Sequence, residues 1–483
     1  MVSMDNQRYP GKRSLVMKFG GTSVGGAQAL AQVVEIVRRE RARWPRLVVV
    51  TSAMAGVTNL LLEGASWAMN GNRERLPQAA QRLEALHFEA ADVLLPDPQR
   101  RALLKDEIGA LIARYRDLSG AVGVLGEATP RALDAISGLG ERMSVRLLAA
   151  ALEAGGAPAA PVEATGLIVT DRHFGAAHPD LDATRASVRQ ALEPLLEQGT
   201  VPVVTGFIAA TADGIPTTLG RGGSDYSAAL LGAALPADEV WIWTDVDGVM
   251  TADPRLVPEA RTIPSLSYRE IAELAYFGAR VVHPMTIRPV IEAGIRLRVC
   301  NTFNPDCPGT YLDGEAAART GSAIQAVTAI RGQRLITLEG RGMLGVPGVA
   351  ARTFGAVAAT GTSVPLITQA SSEQSICFAV PAEAAGKVTQ ALEAAFETEL
   401  ARRDIDRIWA GDPVDIVTVV GAGMRNTPGI AGRIFSALGA QGVNVIAIAQ
   451  GSSEVSISLV VAEAEAAAAV CAIHALLEAE GGR

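Results

Sequence analysis

The chain has 483 residues, 49% of them hydrophobic and 19% charged, which is enough to build two or three cores and excludes a mainly disordered protein. Its apolar residues are broken up by charges, glycines and prolines, with no run of about 18 to cross a bilayer, and a formal charge of −8 disfavours a nucleic-acid surface. Four cysteines, Cys300, Cys307, Cys377 and Cys471, form no CxxC pair, so neither a disulfide framework nor a zinc site is expected.

The first segment, to Ser14, lacks the apolar run and cleavage site of a signal peptide, so a cytoplasmic location is expected. A short β-branched or apolar run at Leu15–Phe19 predicts a strand, and the helical pattern Ala27–Arg43 follows it. Between them lies Lys18-Phe19-Gly20-Gly21-Thr22-Ser23. Paired glycines let backbone N–H groups approach an anion, and Lys18 adds a full positive charge, which reads as a phosphate cradle. It is not a Walker A loop, because the lysine precedes the glycines. The competing reading is a plain strand-to-helix turn.

A second strand, Leu47–Thr51, leads into Thr51-Ser52-Ala53-Met54-Ala55-Gly56-Val57-Thr58-Asn59 and another helix. In an open parallel sheet, ligands gather outside the carboxyl ends of strands, so Ser52 and Thr58 are substrate candidates, though either serves equally as a helix cap. Glu141 in Gly140-Glu141-Arg142-Met143-Ser144 opens a helix patterned over Met143–Glu153, where a first-turn carboxylate is favoured without any function. A helix is expected at Thr184–Glu197 and a strand at Val201–Thr205. The nine residues Thr217–Asp225 then hold Gly220, Gly222 and Gly223 around Arg221, with Ser224 and Asp225 opening the helix Tyr226–Ala234. An arginine in such a loop can grip a carboxylate bidentately, and Asp225 can orient a cation or a metal-bound phosphate.

The strand Glu239–Thr244 runs into Thr244-Asp245-Val246-Asp247-Gly248, an acidic loop without the spacing of a calcium site. A nucleotide contact is one reading and an Asp-rich turn the other. After a strand at Arg296–Cys300, the polar stretch Asp313–Thr320 reads as the exit from a first domain, 1–320. Beyond it the chain repeats: Leu338–Val380 aligns without a gap on Val419–Val461 at a constant offset of 81 residues, matching Pro347-Gly348 to Pro428-Gly429, Phe354 to Phe435 and Gln369 to Gln450. Each copy reads strand, glycine turn, helix, two strands, with helices following at Ala384–Leu400 and Glu463–Glu478. This is a ferredoxin-like order lacking one strand. Two modules, 321–405 and 406–483, are expected, and a spare strand at Ala326–Ile330 predicts that they interleave. Gly340-Arg341-Gly342-Met343-Leu344-Gly345 matches a dinucleotide fingerprint literally, but no acidic residue ends a second strand about 20 residues on, and the other copy has Asn426 for its third glycine.

One lysine and three glycine-containing loops at strand ends describe a site for a polyphosphate and a small anionic partner, with no evident catalytic base. Phosphoryl transfer to a carboxylate needs none, since a carboxyl of pKa about 4 is already ionised at neutral pH. The fold expected is α/β, a mainly parallel sheet between helices, followed by the two α+β modules.

These motifs, KFGGTSVG from Lys18, TSAMAGVTN from Thr51, GERMS from Gly140, TTLGRGGSD from Thr217, TDVDGVMTADPR from Thr244 and FGARVVHP from Phe277, resemble in order those of the aspartate kinases of the amino acid kinase family. The tail resembles tandem ACT domains. The whole is most similar to the kinase-plus-ACT portion of the threonine-sensitive bifunctional aspartate kinase-homoserine dehydrogenases. The resemblance implies transfer of the ATP γ-phosphate to the β-carboxylate of L-aspartate. It implies that Lys18 and Asp225 serve the transferring phosphoryl group and its Mg2+, and that Ser52, Thr58, Glu141, Arg221 and Ser224 hold aspartate. Glu141 would face the ammonium and Arg221 the α-carboxylate. Lys18, Gly20, Gly21, Thr22, Thr244, Asp245, Arg255 and Arg280 would contact ATP, and Gln369 and Gln450 an effector, threonine or alternatively lysine. Homodimers or larger oligomers through the ACT domains are implied as well. Arg280 and Met250 depart from the family pattern, which has lysine and commonly tyrosine there. Two readings compete: a kinase for another amino acid, and a sensor whose ACT pair is its function.

Overall fold

The structure, a computed structural model, describes residues 13–278, 282, 284–314, 323–369, 374–425, 427–451 and 454–481. These divide into two compact units, the first made of the described residues within Met1–Val249, Pro264–Tyr268 and Arg280–Gly314, and the second of those within Met250–Ile263, Arg269–Ala279 and Glu315–Arg483.

The strands of the first unit are β1 (Ser14–Phe19), β2 (Arg46–Thr51), β3 (Ala159–Val162), β4 (Val169–Thr170), β5 (Val201–Thr205), β6 (Ile208–Thr211), β7 (Pro216–Thr218), β8 (Glu239–Thr244), β9 (Ser265–Ser267), β10 (Arg296–Asn301) and β11 (Thr310–Asp313). Eight of them form one sheet in the order β3-β5-β2-β1-β8-β10-β11-β9, while β4, β6 and β7 form a small second sheet. From β3 through β10 every neighbouring pair is parallel, and the antiparallel step comes only at β10–β11. A parallel sheet must bury both faces, and β2 and β5 are accordingly buried at every position. Helices α1 (Ala27–Arg41), α2 (Val57–Met69), α3 (Leu76–Leu94), α4 (Pro98–Leu125), α5 (Pro130–Ser137), α6 (Leu139–Ala154), α7 (Leu181–Glu197) and α8 (Gly223–Ala234) follow in chain order. The observed α6 begins four residues before the expected Met143, so that Gly140 and Glu141 lie inside its first turn. The long helices α3 and α4 are additions to the expected set. Asp97 caps α4 by accepting from Gln99 N (2.9 Å), and Gly126 stops it at φ 71°.

Two further helices, α9 (Tyr268–Tyr276) and α10 (Pro284–Ala293), precede the repeat. Its elements are β12 (Ala326–Glu339), α11 (Val349–Ala359), β13 (Leu366–Gln369), β14 (Ser375–Pro381), α12 (Ala385–Ala395), α13 (Glu397–Arg402), β15 (Arg407–Val420), α14 (Ile430–Ala440), β16 (Val445–Gln450), β17 (Ser456–Ala462) and α15 (Ala466–Gly481). They build one six-stranded sheet, β13-β14-β12-β15-β17-β16. At its centre β12 and β15, 14 residues each, run antiparallel with irregularities on either side of Gln333–Arg334. The first half of β12, Ala326–Ile330, pairs with Ile416–Val420 of the second copy, and the first half of β15, Arg407–Ala410, pairs with Ile336–Glu339 of the first. Each copy thereby receives the strand its own order lacks. Among the described residues three apolar clusters result, one around Ile336, Phe378 and Leu392, another around Val417, Ile434 and Ile473, and a third around Leu335, Ala379, Ile416 and Val460.

The dinucleotide-like glycines have a packing role here. Gly342 donates to Asp404 O (3.0 Å), and a Cβ on Gly340 would lie 2.4 Å from that same oxygen. The expected domain exit lies, from residue 315 to 320, outside the described residues.

Candidate active site

Parallel strands end on the same edge, so the loops after β1, β2, β5 and β8 converge. The ladder continues past the strand ends: Gly20 N donates to Trp243 O (3.1 Å), Ser52 N to Phe19 O (3.1 Å) and Gly206 N to Thr51 O (2.9 Å). A cavity of about 400 Å3 opens above this edge. Lys18, Gly21, Ser52, Thr58, Glu141, Ser224 and Asp225 all line it, together with Asn59, Phe207 and the glycines Gly56, Gly220, Gly222 and Gly223.

Lys18 is the penultimate residue of β1 and is nearly buried, and its Nζ lies 2.5 Å from Oδ1 of Asp225. Asp225 occupies the first turn of α8, where the helix dipole favours a carboxylate. The start of α8 is fixed by close packing. Gly222 enters it at φ 69°, and Ser227 Oγ both donates to Gly223 O (2.9 Å) and accepts from Phe207 N (3.1 Å). Gly206 meets Ser224 so closely that an added Cβ would stand 2.6 Å from its Cβ and Oγ.

Glu141 is buried in the wall opposite a loop it helps to hold: its Oε1 accepts from Ala53 N (3.1 Å). Its Oε2 has no hydrogen-bond partner among the described residues. Burial pushes its carboxyl up to about 7, against the pull of the Ala53 N–H. Beside it Thr51 Oγ1 and Ser144 Oγ share a hydrogen bond (3.0 Å) that joins the end of β2 to α6. A buried carboxylate oxygen without a partner, on a residue that lines the cavity, is a group that a cationic ligand can satisfy.

Other expected residues stand apart from this group. Gly20 is behind the ammonium, with its Cβ position 3.5 Å from Lys18 Nζ, and Thr22 is exposed. The turn spans 20–26 before α1 begins at Ala27, the start expected for that helix. Arg221 is exposed, on a loop whose neighbours Gly220 and Gly222 take φ 73° and 69° and line the cavity. Thr244 ends β8 and its Oγ1 donates to Oδ1 of the following Asp245 (3.2 Å), while Thr302 N donates to Thr244 O (2.9 Å). Arg255 belongs to the second unit, where its Nη2 pairs with Asp253 (2.7 Å). Arg280 lies outside the described residues. Gln369 and Gln450 end β13 and β16 and are exposed.

Sequence reasoning missed Phe207 and Asp134. Phe207 is a non-glycine residue at φ 65° on the cavity wall, and nothing in its neighbours signals that conformation. Asp134 is a buried carboxylate accepting from both N and Oγ1 of Thr218 (3.1 and 2.7 Å). No group of three or more His, Cys, Asp or Glu side chains suited to a metal occurs among the described residues, and no described helix is long and apolar enough to cross a membrane.

The profile of the amino acid kinase family matches residues 13–301, and that of the ACT domain matches twice, at 336–396 and 417–477. The chloroplastic bifunctional aspartokinase/homoserine dehydrogenase 1 of Zea mays is 37% identical over 464 residues, covering 95% of this chain and 50% of its own length. The aspartokinase of Schizosaccharomyces pombe is 33% identical, covering 98% of this chain and 94% of its own. Aspartokinase III of E. coli, solved with aspartate and ADP in the R-state, gives a TM-score of 0.78 at 29% identity over 96% of this chain and 99% of that one. Solved with lysine and aspartate in the T-state, it gives 0.76 at 30% over the same shares. The chain spans about half the length of the bifunctional relatives.

Proposed function

The chain belongs to the amino acid kinase family, within the aspartokinases, and from that premise we propose that it transfers the γ-phosphate of ATP to the β-carboxylate of L-aspartate, giving 4-phospho-L-aspartate, the first step toward lysine, threonine and methionine. One observation carries the reading: a single cavity joins the Lys18–Asp225 pair to a buried glutamate with one unpartnered oxygen. The first suits a phosphoryl group, the second an α-ammonium.

The attacking carboxylate is already ionised at neutral pH, so the protein's task is positioning and charge neutralisation. Lys18 places a positive charge where negative charge collects on the transferring group. Ser52, Thr58 and Ser224 offer hydroxyls to the amino acid, Glu141 takes its ammonium, and Arg221 takes its α-carboxylate. Gly20, Gly21 and Thr22, with Thr244, Asp245, Arg255 and Arg280, are assigned to the nucleotide. The donor set fits a magnesium ion that arrives on ATP, since such an ion needs only one or two protein carboxylates and Asp225 supplies one. When bound, the ion neutralises phosphate charge.

Regulation is assigned to the ACT pair, with threonine as effector at Gln369 and Gln450 and lysine as the alternative. The two ACT matches support an amino-acid effector, the plant bifunctional relatives favour the threonine type, and the lysine-bound T-state of the E. coli enzyme keeps lysine open. Homodimers through these modules are supported by Ile367, Ile446 and Ile448, about half exposed on the edge strands.

The test is hydroxamate formation from L-aspartate, MgATP and hydroxylamine, with and without L-threonine and L-lysine. Hydroxamate that falls with threonine is expected. Folded protein that turns over ATP with another amino acid, and not with aspartate, would displace the substrate assignment.

A further inference from the structure

Asp134 sits in α5, a helix capped by Thr129 and begun with a proline, and it is only 5% exposed. Its carboxylate accepts three hydrogen bonds, from Gly175 N (2.9 Å) and Thr218 N (3.1 Å) at Oδ2 and from Thr218 Oγ1 (2.7 Å) at Oδ1. Burial raises its carboxyl above the usual range, while these donors pull it back down. A buried carboxylate satisfied by two backbone N–H groups and a hydroxyl is a rigid joint, because moving any one donor leaves it short of a partner.

The segments it joins lead to the substrate anchors. On its own side, α5 passes through Gly138 directly into α6, whose first turn carries Glu141. Gly138 packs closely against β6, since a Cβ there would stand 2.7 Å from Ile208 Cγ2. On the other side, Thr218 ends β7 three residues before Arg221. Between the two lies Gly175, on whose carbonyl the Arg221 loop rests: a Cβ at Gly220 would be 3.2 Å from Gly175 O. Ala177 N also donates to Thr218 O (2.9 Å), closing the contact from the far end.

We propose that Asp134 is a positioning residue for the amino-acid substrate, fixing the spacing between Glu141 at the ammonium and Arg221 at the α-carboxylate. The inference rests on the kinase reading above. Asp134 itself lies outside the lining of the cavity and acts through Thr218 and Gly175. A small amino acid gripped at both ends is sensitive to that spacing, whereas a nucleotide held elsewhere is not.

The experiment compares the full chain with its Asp134→Asn, Thr218→Val and Thr218→Ser variants. Asparagine keeps the shape but presents an amide N–H where donors already converge. For Asp134→Asn the KM for aspartate is expected to rise at least about tenfold, with the KM for ATP within about twofold of wild type. Thr218→Val is expected to raise the aspartate KM about threefold, and Thr218→Ser to restore it. The double variant Asp134→Asn/Thr218→Val is expected to be no worse than Asp134→Asn alone. A folded Asp134→Asn with wild-type aspartate KM, or one whose two KM values rise together, overturns the proposal. Should that variant not fold, equal aspartate KM in Thr218→Val and Thr218→Ser overturns it. Aspartate-dependent thermal stabilisation of the wild type keeps the two readings apart. A wild type neither stabilised by aspartate nor turning it over removes the kinase reading, while a responsive wild type matched by an equally responsive Asp134→Asn removes only this one.

Discussion

Lys18 Nζ and Asp225 Oδ1 lie 2.5 Å apart, the lysine from the end of β1 and the aspartate from the first turn of α8, both side chains little exposed. The pair does two things that mutation can separate. It neutralises two charges removed from water, and it presents an ammonium to the cavity. Lys18→Met is expected to lower the phosphoryl-transfer rate by about 100- to 1000-fold and to destabilise the fold by about 3 kcal/mol by stranding Asp225. Adding Asp225→Asn is expected to recover the stability and not the rate. Thermal melts beside hydroxamate assays check this, and a Lys18→Met enzyme of near-normal rate would remove the lysine from the mechanism.

Glu141 gives the site a pH dependence of definite sign. Its folded carboxyl titrates at about 7, against 4.5 ordinarily, so between those values the folded protein holds a proton that the unfolded chain has lost. Stability from this group is therefore greatest below about pH 4.5 and declines as pH rises to about 7, where the loss levels off. Substrate binding runs the other way, since an ammonium needs the carboxylate. The KM for aspartate is expected to fall about tenfold from pH 6 to pH 8, and Glu141→Gln to raise it and flatten the profile. A flat wild-type profile would mean that Glu141 does not meet the ammonium.

Gly206 is packed tightly against the start of α8. Alanine there would meet Ser224 Cα at 2.9 Å and its Cβ and Oγ at 2.6 Å, and backbone cannot yield as a flexible side chain does. Gly206→Ala is expected to push the start of α8 outward, costing about 1–3 kcal/mol and, by shifting Ser224 and Asp225, about 10- to 100-fold in rate. Gly120→Ala in α4, where a Cβ meets nothing within 4 Å, is the matched control, expected to stabilise by about 0.5–1 kcal/mol with unchanged rate. Equal rates in the two variants would deny Gly206 any role in setting the helix.

What the sequence made legible follows from the parallel sheet. The apolar runs that end in Phe19, Thr51 and Thr244 are strands, and because parallel strands finish on one edge, Lys18, Ser52, Thr58, Glu141, Ser224 and Asp225 gather from segments far apart in the chain. Other features depend on tertiary context. The buried stripe Leu104, Ile108, Ile112, Tyr115 of α4 is blurred in sequence by Leu103, Val124 and Leu125, all exposed. Asp134 reads locally like any helix carboxylate, and only the donors of Gly175 and Thr218 make it a joint. Arg255 follows Thr244 closely in one motif, yet the chain passes into the second unit at Met250, a division that no residue pattern marks.

Gln369 and Gln450 close the two edge strands of the six-stranded sheet at equivalent points of the repeat, and both are exposed. An amino acid bound there alters catalysis only by binding two states of the protein unequally, so removing a contact weakens inhibition by the share that contact contributes to the difference. One side-chain amide hydrogen bond is worth about 1–1.5 kcal/mol, or about tenfold. Gln450→Ala is therefore expected to raise the threonine concentration for half-inhibition about tenfold, each variant being scored against its own uninhibited rate. Gln369→Ala tests the other copy, and the two need not match, because the strand each module receives comes from the other and the copies differ in sequence around it. Threonine titrations of hydroxamate formation read both. An unchanged curve in both variants moves the effector off the edge strands, and a shift seen with lysine alone transfers the site to that amino acid.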